Sequence, residues 1–206
     1  MTPIFPTAYL PTVAYMASLL PYDSINVEQH ETFPKQTLRN RAVIMTANGI
    51  MPLVVPAIRT KGNHTTTAEI EISYAENWNI QHWRSIETAY NSSPFFLYYK
   101  DGIEKIIMTP HERLIDLNLE LTRYLLKKLK ISCEINLTTD YIRTEDAEVD
   151  LRSSFSIKQP TSTFSYPVYS QVFEDKHSFQ PDLSIIDLLF NLGPDAKDYL
   201  TKVNPT

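Results

Sequence analysis

The sequence predicts an α/β protein with a mixed sheet: an N-terminal βαβ-like unit, a β-hairpin and a helical second half. Three observations carry this. The first 27 residues read strand, proline-punctuated turn, short apolar helix, strand, an order that favours parallel pairing. Asn48-Gly49 sits between two apolar arms, as in a tight hairpin. From residue 77 to residue 130 the apolar spacing is helical rather than alternating.

The elements follow in order. Ile4-Phe5 forms a short strand, residues 13–20 a helix that must stop before Pro21, and residues 24–27 a second strand. Residues 28–41 are polar. Residues 41–45 and 51–55 are the hairpin arms, and Pro52 and Pro56 push the second arm toward a sheet edge. Residues 68–74 alternate, with Ile70, Ile72 and Tyr74 on one face, and are expected as a half-buried strand. Helices are expected over 77–90, after Ser93-Pro94 as cap and first position, and after Thr109-Pro110-His111-Glu112 as a capping box. The last of these ends near Lys130, with Leu114, Leu117, Leu121, Tyr124 and Leu125 as its buried stripe. A strand is expected over 134–142, a long ordered loop over 143–167, a helix over 183–192 stopped at Gly193, and a short terminal helix opened by Pro194.

Composition narrows the function classes. The 206 residues are read as one domain, 1–206, long enough to bury a core without metals or disulfides. The net charge of −5 and the absence of a basic patch argue against nucleic acid as a partner. Cys133 is the single cysteine, which suits a reducing compartment and reads as a small buried hydrophobe. No Lys or Arg precedes Lys35, so a basic signal region is missing, and no run approaches the ~18 apolar residues of a membrane span. The expectation is a cytoplasmic protein. Four glycines cannot build a glycine-rich phosphate cradle, and no His/Cys/Glu spacing resembles a zinc site, so neither cofactor nor metal is expected.

Several ordered strings resemble the WbqC-like proteins. They are Tyr9-Leu10-Pro11 with Tyr15; Lys35-Gln36 followed by Arg39-Asn40-Arg41; and Leu53-Val54-Val55-Pro56. To these are added Glu76-Asn77-Trp78, His82-Trp83-Arg84-Ser85-Ile86, and Tyr90 with Pro94-Phe95-Phe96. The C-terminal strings are Tyr169 through Asp175, Leu183 through Asn191, and Gly193-Pro194. The resemblance implies a role in bacterial surface-polysaccharide (O-antigen) biosynthesis. It further implies transfer of an aminoacyl or acyl group to an amino sugar, with a nucleotide- or lipid-linked sugar as the small-molecule substrate. The alternative is a non-catalytic protein that binds such a precursor or a partner enzyme. Many family members carry Gln-Pro before Tyr-Leu-Pro and Trp after it, where this chain has Phe5-Pro6 and Thr12. The strand–turn–helix through Tyr15 is also loosely similar to the start of nucleotidyltransferase-like synthetases, without their turn histidines and glycine.

The residues suggest a site at two polar segments. Arg39 and Arg41, one residue apart, would share a face if extended and clamp a phosphate or carboxylate. Stability should then be insensitive to their removal. Asn40 and Gln171 would orient polar groups. His82 or His30 would act as base on the attacking amine. Asp187 is read either as the acidic partner of Ser184 in a capping box or as a pocket group that orients an arginine or Lys158. Both segments are expected to line one cleft, partly covered by the loop over 143–167.

Overall fold

The computed structural model describes residues 2–155 and 164–205. In chain order the elements are β1 (Ile4–Phe5), α1 (Val13–Leu19), β2 (Ser24–Val27), β3 (Arg41–Thr46), β4 (Gly49–Val54), β5 (Ala57–Ile58) and β6 (Glu71–Ile72). There follow α2 (Trp78–Tyr90), α3 (Phe96–Met108), α4 (Leu114–Lys128) and β7 (Glu134–Leu137). The chain closes with β8 (Phe164–Ser165), α5 (Ile185–Leu192), α6 (Ala196–Leu200) and β9 (Asn204–Pro205).

The N-terminal βαβ unit is present. β1 and β2 pair in parallel across α1, and β7 adds in parallel to the far side of β2, giving the order β1-β2-β7. Asp150 extends this set on the other side, bridging Ile4 in parallel: the Ile4 amide donates to the Val149 carbonyl and the Leu151 amide to the Ile4 carbonyl. Four segments therefore point their carboxyl ends to the same edge. α1 starts at Thr12, whose hydroxyl accepts from the Tyr15 amide at 3.3 Å.

The hairpin β3-β4 pairs Thr46 with Gly49 and Arg41 with Val54. Gly49, at φ +103°, supplies the conformation the return needs. Parallel and antiparallel pairing are distributed over separate small sheets. The second half is helical, and residues of α1 through α5 share one apolar cluster that includes Phe5, Tyr15, Ile86, Leu121 and Phe190. α5 ends at Gly193, at φ +53°, where a Cβ would come within 2.4 Å of the Phe95 ring.

Four boundaries differ from the sequence expectation, each because a polar group takes a partner, local or distant, other than the one the patterning assigned to it. The expected strand 68–74 shrinks to Glu71–Ile72, since Thr66 and Glu69 form a capping box around a 3-10 turn. Thr109 does not open α4. The chain at residues 112–114 pairs instead with residues 70–72, so the helix begins at Leu114. Ser93 donates to the Tyr90 carbonyl and the Phe95 amide to the Phe190 carbonyl, which delays α3 to Phe96. The strand expected to reach 142 ends at Leu137, because the chain beyond it wraps around Glu28. Within the loop expected over 143–167, residues 156–163, including Lys158, lie outside the described residues. The rest holds a 3-10 turn at Thr144–Asp146 and β8, which pairs with β9. Among the described residues no helix is long and apolar enough to cross a membrane.

Candidate functional site

A cavity of about 600 Å³ opens over the carboxyl ends of the parallel strands, the place where open α/β sheets bind ligands. Its wall comes from three stretches that follow strand ends: residues 31–39 after β2, Tyr141 and Thr144 after β7, and Asp150 to Phe155 beside β1. The floor is organised by Glu28, which is fully buried. Its Oε1 accepts from the His30 amide (2.7 Å) and the Thr138 hydroxyl (3.1 Å), and its Oε2 from the Ile142 amide (3.0 Å). A buried carboxylate without such donors would be costly. With them, Glu28 bends the chain after β7 toward the cavity.

Two guanidinium groups are built into the wall. Arg39 is 4% exposed. Its Nε donates to Glu31 Oε1 at 2.8 Å, a terminal nitrogen lies 2.5 Å from the same oxygen, and the other donates to the Thr37 hydroxyl at 2.7 Å. Arg152 grips both Asp150 oxygens, with Nε–Oδ1 at 2.9 Å and a terminal nitrogen 2.5 Å from Oδ2, and stands 3.9 Å from Glu28. That bond to Arg152 holds the Asp150 carboxyl below its ordinary range.

Satisfaction of hydrogen bonds separates the carboxylates. Glu28 and Asp150 have both oxygens occupied. Glu31 has its Oε1 pinned by Arg39, and its Oε2 has no partner among the described residues. Burial holds the Glu31 carboxyl above its ordinary range, although the Arg39 guanidinium pulls it down. An oriented, half-desolvated carboxylate with one free oxygen in a cavity has the attributes of a proton acceptor. Sequence reading passed over Glu31, Asp150 and Arg152. The pairs themselves are local, eight residues apart for Glu31 and Arg39 and two for Asp150 and Arg152; what the sequence does not display is that residues 31–39 and 150–155 meet at one cavity.

The sequence-predicted residues are dispersed. Arg39 lines the cavity but spends its donors on Glu31 and Thr37 and is a buried ion-pair member. Arg41 lies across the 33–36 turn, beside a separate depression that it shares with Asn40 and Arg59. The two arginines therefore form no common clamp. Asn40 donates to the Val55 carbonyl at 2.9 Å and anchors the hairpin. His30 Nε2 faces the Thr138 carbonyl at 3.1 Å behind the cavity wall.

His82 is 6% exposed and closed in by Tyr9 and Trp78. Its Nδ1 pairs with the Tyr9 hydroxyl at 2.9 Å, and the ring also bonds the Val54 carbonyl. Burial pulls its pKa down to about 4. It is a neutral structural imidazole rather than a base facing substrate.

Gln171 and Asp187 belong to a second, closed network. Asp187 is 1% exposed. It accepts from Tyr169 (2.6 Å), Tyr90 (2.9 Å) and the Gln171 amide (3.0 Å). Burial raises its pKa against those bonds. Ser184 donates to the Leu10 carbonyl rather than capping α5, so the capping-box reading of Asp187 does not hold. The cavity that holds Arg39 is lined by neither Gln171 nor Asp187, and the expected joint cleft is not formed there. Among the described residues no three His, Cys, Asp or Glu side chains are grouped to hold a metal ion.

Comparison with known proteins places this geometry in a lineage. The model of the WbqC-like protein family matches residues 7–159 and 153–199. An uncharacterized protein of Mycobacterium tuberculosis, Rv1507c, is 26% identical over 217 residues, covering 93% of this chain and 91% of that relative. No solved structure matches the chain at a significant level.

Proposed function

The chain belongs to the WbqC-like protein family, and from that premise we propose that it acts in bacterial surface-polysaccharide biosynthesis as an aminoacyl or acyl transferase. The acceptor is the amine of a sugar precursor, and the site is the cavity over the carboxyl ends of the parallel strands. The observation that carries the reading is Glu31, with Oε1 fixed by Arg39 and Oε2 without a partner among the described residues. In the step, the amine nitrogen forms an amide bond to the donor's carbonyl carbon. The bond from that carbon to the leaving group breaks, the leaving group keeps the electron pair, and Glu31 Oε2 takes the proton the nitrogen sheds. Glu31 thus replaces His82 and His30 in the role of base. Arg39 positions it and keeps a share of it ionised.

The test is a mass-spectrometric screen of the purified chain against nucleotide-linked and free amino sugars with activated acyl donors, run beside Glu31→Gln. A product with the mass of the amide, formed by the wild type and reduced about a hundredfold in Glu31→Gln, supports the reading. The absence of any amide product across the screen overturns it. A second reading, a non-catalytic receptor for the same precursor, is favoured by the fact that both arginines are already paired within the wall. Thermal stabilisation by a sugar without turnover selects it.

A further inference from the structure

Among the described residues that line this cavity, Tyr141 is the one large aromatic side chain left exposed, at 54%. Exposure of a tyrosine is ordinary by itself. The seat of this ring is not. The Arg152 guanidinium carbon lies 5.5 Å from the ring centroid on one side. That guanidinium is held by both Asp150 oxygens, so it cannot follow the ring if the ring moves. The backbone beside Tyr141 is also fastened, by the Ile142 amide on Glu28 and the Thr138 amide on the Val27 carbonyl. The ring is thus held beside a fixed cation that also bonds its hydroxyl. The same cavity is lined by short polar groups, Thr37, Thr144 and Ser153, and by Glu31, whose Oε2 has no partner among the described residues.

A cavity that offers one exposed aromatic ring together with hydroxyls and a carboxylate oxygen matches a ring that carries both apolar C–H surface and polar substituents. A pyranose has an apolar C–H face and a rim of hydroxyls. A nucleobase also has a polar edge, but no amine on a saturated ring for Glu31 to meet, and uridine is therefore the competing probe in the test below. We infer that Tyr141, backed by Arg152, is the stacking platform for a hexosamine ring, and that the ring's amine or an adjacent hydroxyl meets Glu31 Oε2. This rests on the reading of the cavity as the substrate site and adds what decides its choice of ligand. Tyr141 acts as a specificity residue that touches the ligand.

The test uses the full chain and glucosamine as the probe, followed by saturation-transfer NMR titration. Wild type is expected to bind it. Tyr141→Ala should weaken binding about tenfold, since stacking on a rigid ring adds to simple area burial. Tyr141→Phe should stay within about twofold, because the ring and not the hydroxyl does the stacking. No binding of glucosamine by wild type, or equal binding by Tyr141→Ala, overturns the inference. So does equal loss in Tyr141→Phe, which would assign the role to the hydroxyl, or selective binding of uridine through Tyr141. Glucosamine held through Tyr141 with no amide product in the transfer screen would sink the transferase reading and leave the platform standing. Transfer with an unchanged KM in Tyr141→Ala would sink the platform alone.

Discussion

Two carboxyl groups of the molecule, Asp187 and Glu31, sit in networks of opposite character. At the C-terminal side Asp187 is surrounded by neutral donors, two tyrosine hydroxyls and an amide, and every oxygen has a partner. At the sheet edge Glu31 lines a cavity and is met by a guanidinium on one oxygen, while the other has no partner among the described residues. Both carboxyls are raised by burial. A perturbed acid is thus no sign of chemistry by itself. What separates the two is an unspent oxygen with room beside it. The Asp187 network ties the segment around Tyr169 to α2 and α5, and the Tyr9–His82–Val54 chain likewise ties β4 to α2. Closed networks hold elements together; the open one has a bond left for a ligand.

The largest expected effect tests the closed side. Asp187→Ala should destabilise the fold by about 4 kcal/mol, because Tyr90, Tyr169 and Gln171 lose their common acceptor in a dry interior. Urea unfolding at neutral pH measures this, and a loss below about 1 kcal/mol would mean the network does not hold the helices as argued.

The next concerns pH. His82 has a folded pKa near 4, below its ordinary 6.5. Between these values the unfolded chain binds a proton that the folded chain refuses. Stability therefore falls as pH is lowered through that window, by on the order of 3 kcal/mol from this residue. Asp187 and Glu31, with raised values, slope the other way, since the folded state keeps a proton the unfolded state has released. Unfolding of wild type beside His82→Gln from pH 7 to pH 4.5 isolates the histidine. The variant should show a flatter acid limb, and parallel curves would break the assignment.

Arg39→Ala should cost about 2 kcal/mol, since it strands a partly buried Glu31. This replaces the expectation, drawn from the sequence, of an arginine whose removal leaves stability unchanged. A melting temperature equal to wild type would return Arg39 to the role of a free ligand clamp. The smallest effect on stability is expected for Glu31→Gln, about 1 kcal/mol, because the amide oxygen still accepts from Arg39. A stability loss as large as that of Asp187→Ala would erase the distinction between the open and the closed network.

Short-range patterning made much of the fold legible. Ile4-Phe5, the break at Pro21 and the Val27 strand gave the βαβ unit, and Asn48-Gly49 gave the hairpin. The Leu114-to-Leu125 stripe gave α4. These features depend on backbone preferences and on spacing along one element, which a sequence displays directly. The boundaries at Thr109, Phe95 and residue 138 slipped where a backbone group had a better partner far away, and the one at residues 68–74 slipped to the local capping box of Thr66 and Glu69.

The candidate site was legible only in part. The polar stretch after β2 marked the right edge of the sheet, and Arg39 was singled out within it. His82, Gln171 and Asp187 were singled out for their residue types and proved to be interior. The reason is physical. Residue type and neighbours along the chain state what a group can donate or accept, and so the sequence by itself determined the elements and the inventory of polar groups. Whether a group's bonds are already taken depends on partners 114 residues away for Glu28 and Ile142, or 97 for Tyr90 and Asp187. Burial and hydrogen-bond satisfaction are properties of pairs brought together by packing. Only the tertiary structure decided that Asp187 is closed and that Glu31, lining the cavity, keeps one oxygen that no described residue bonds.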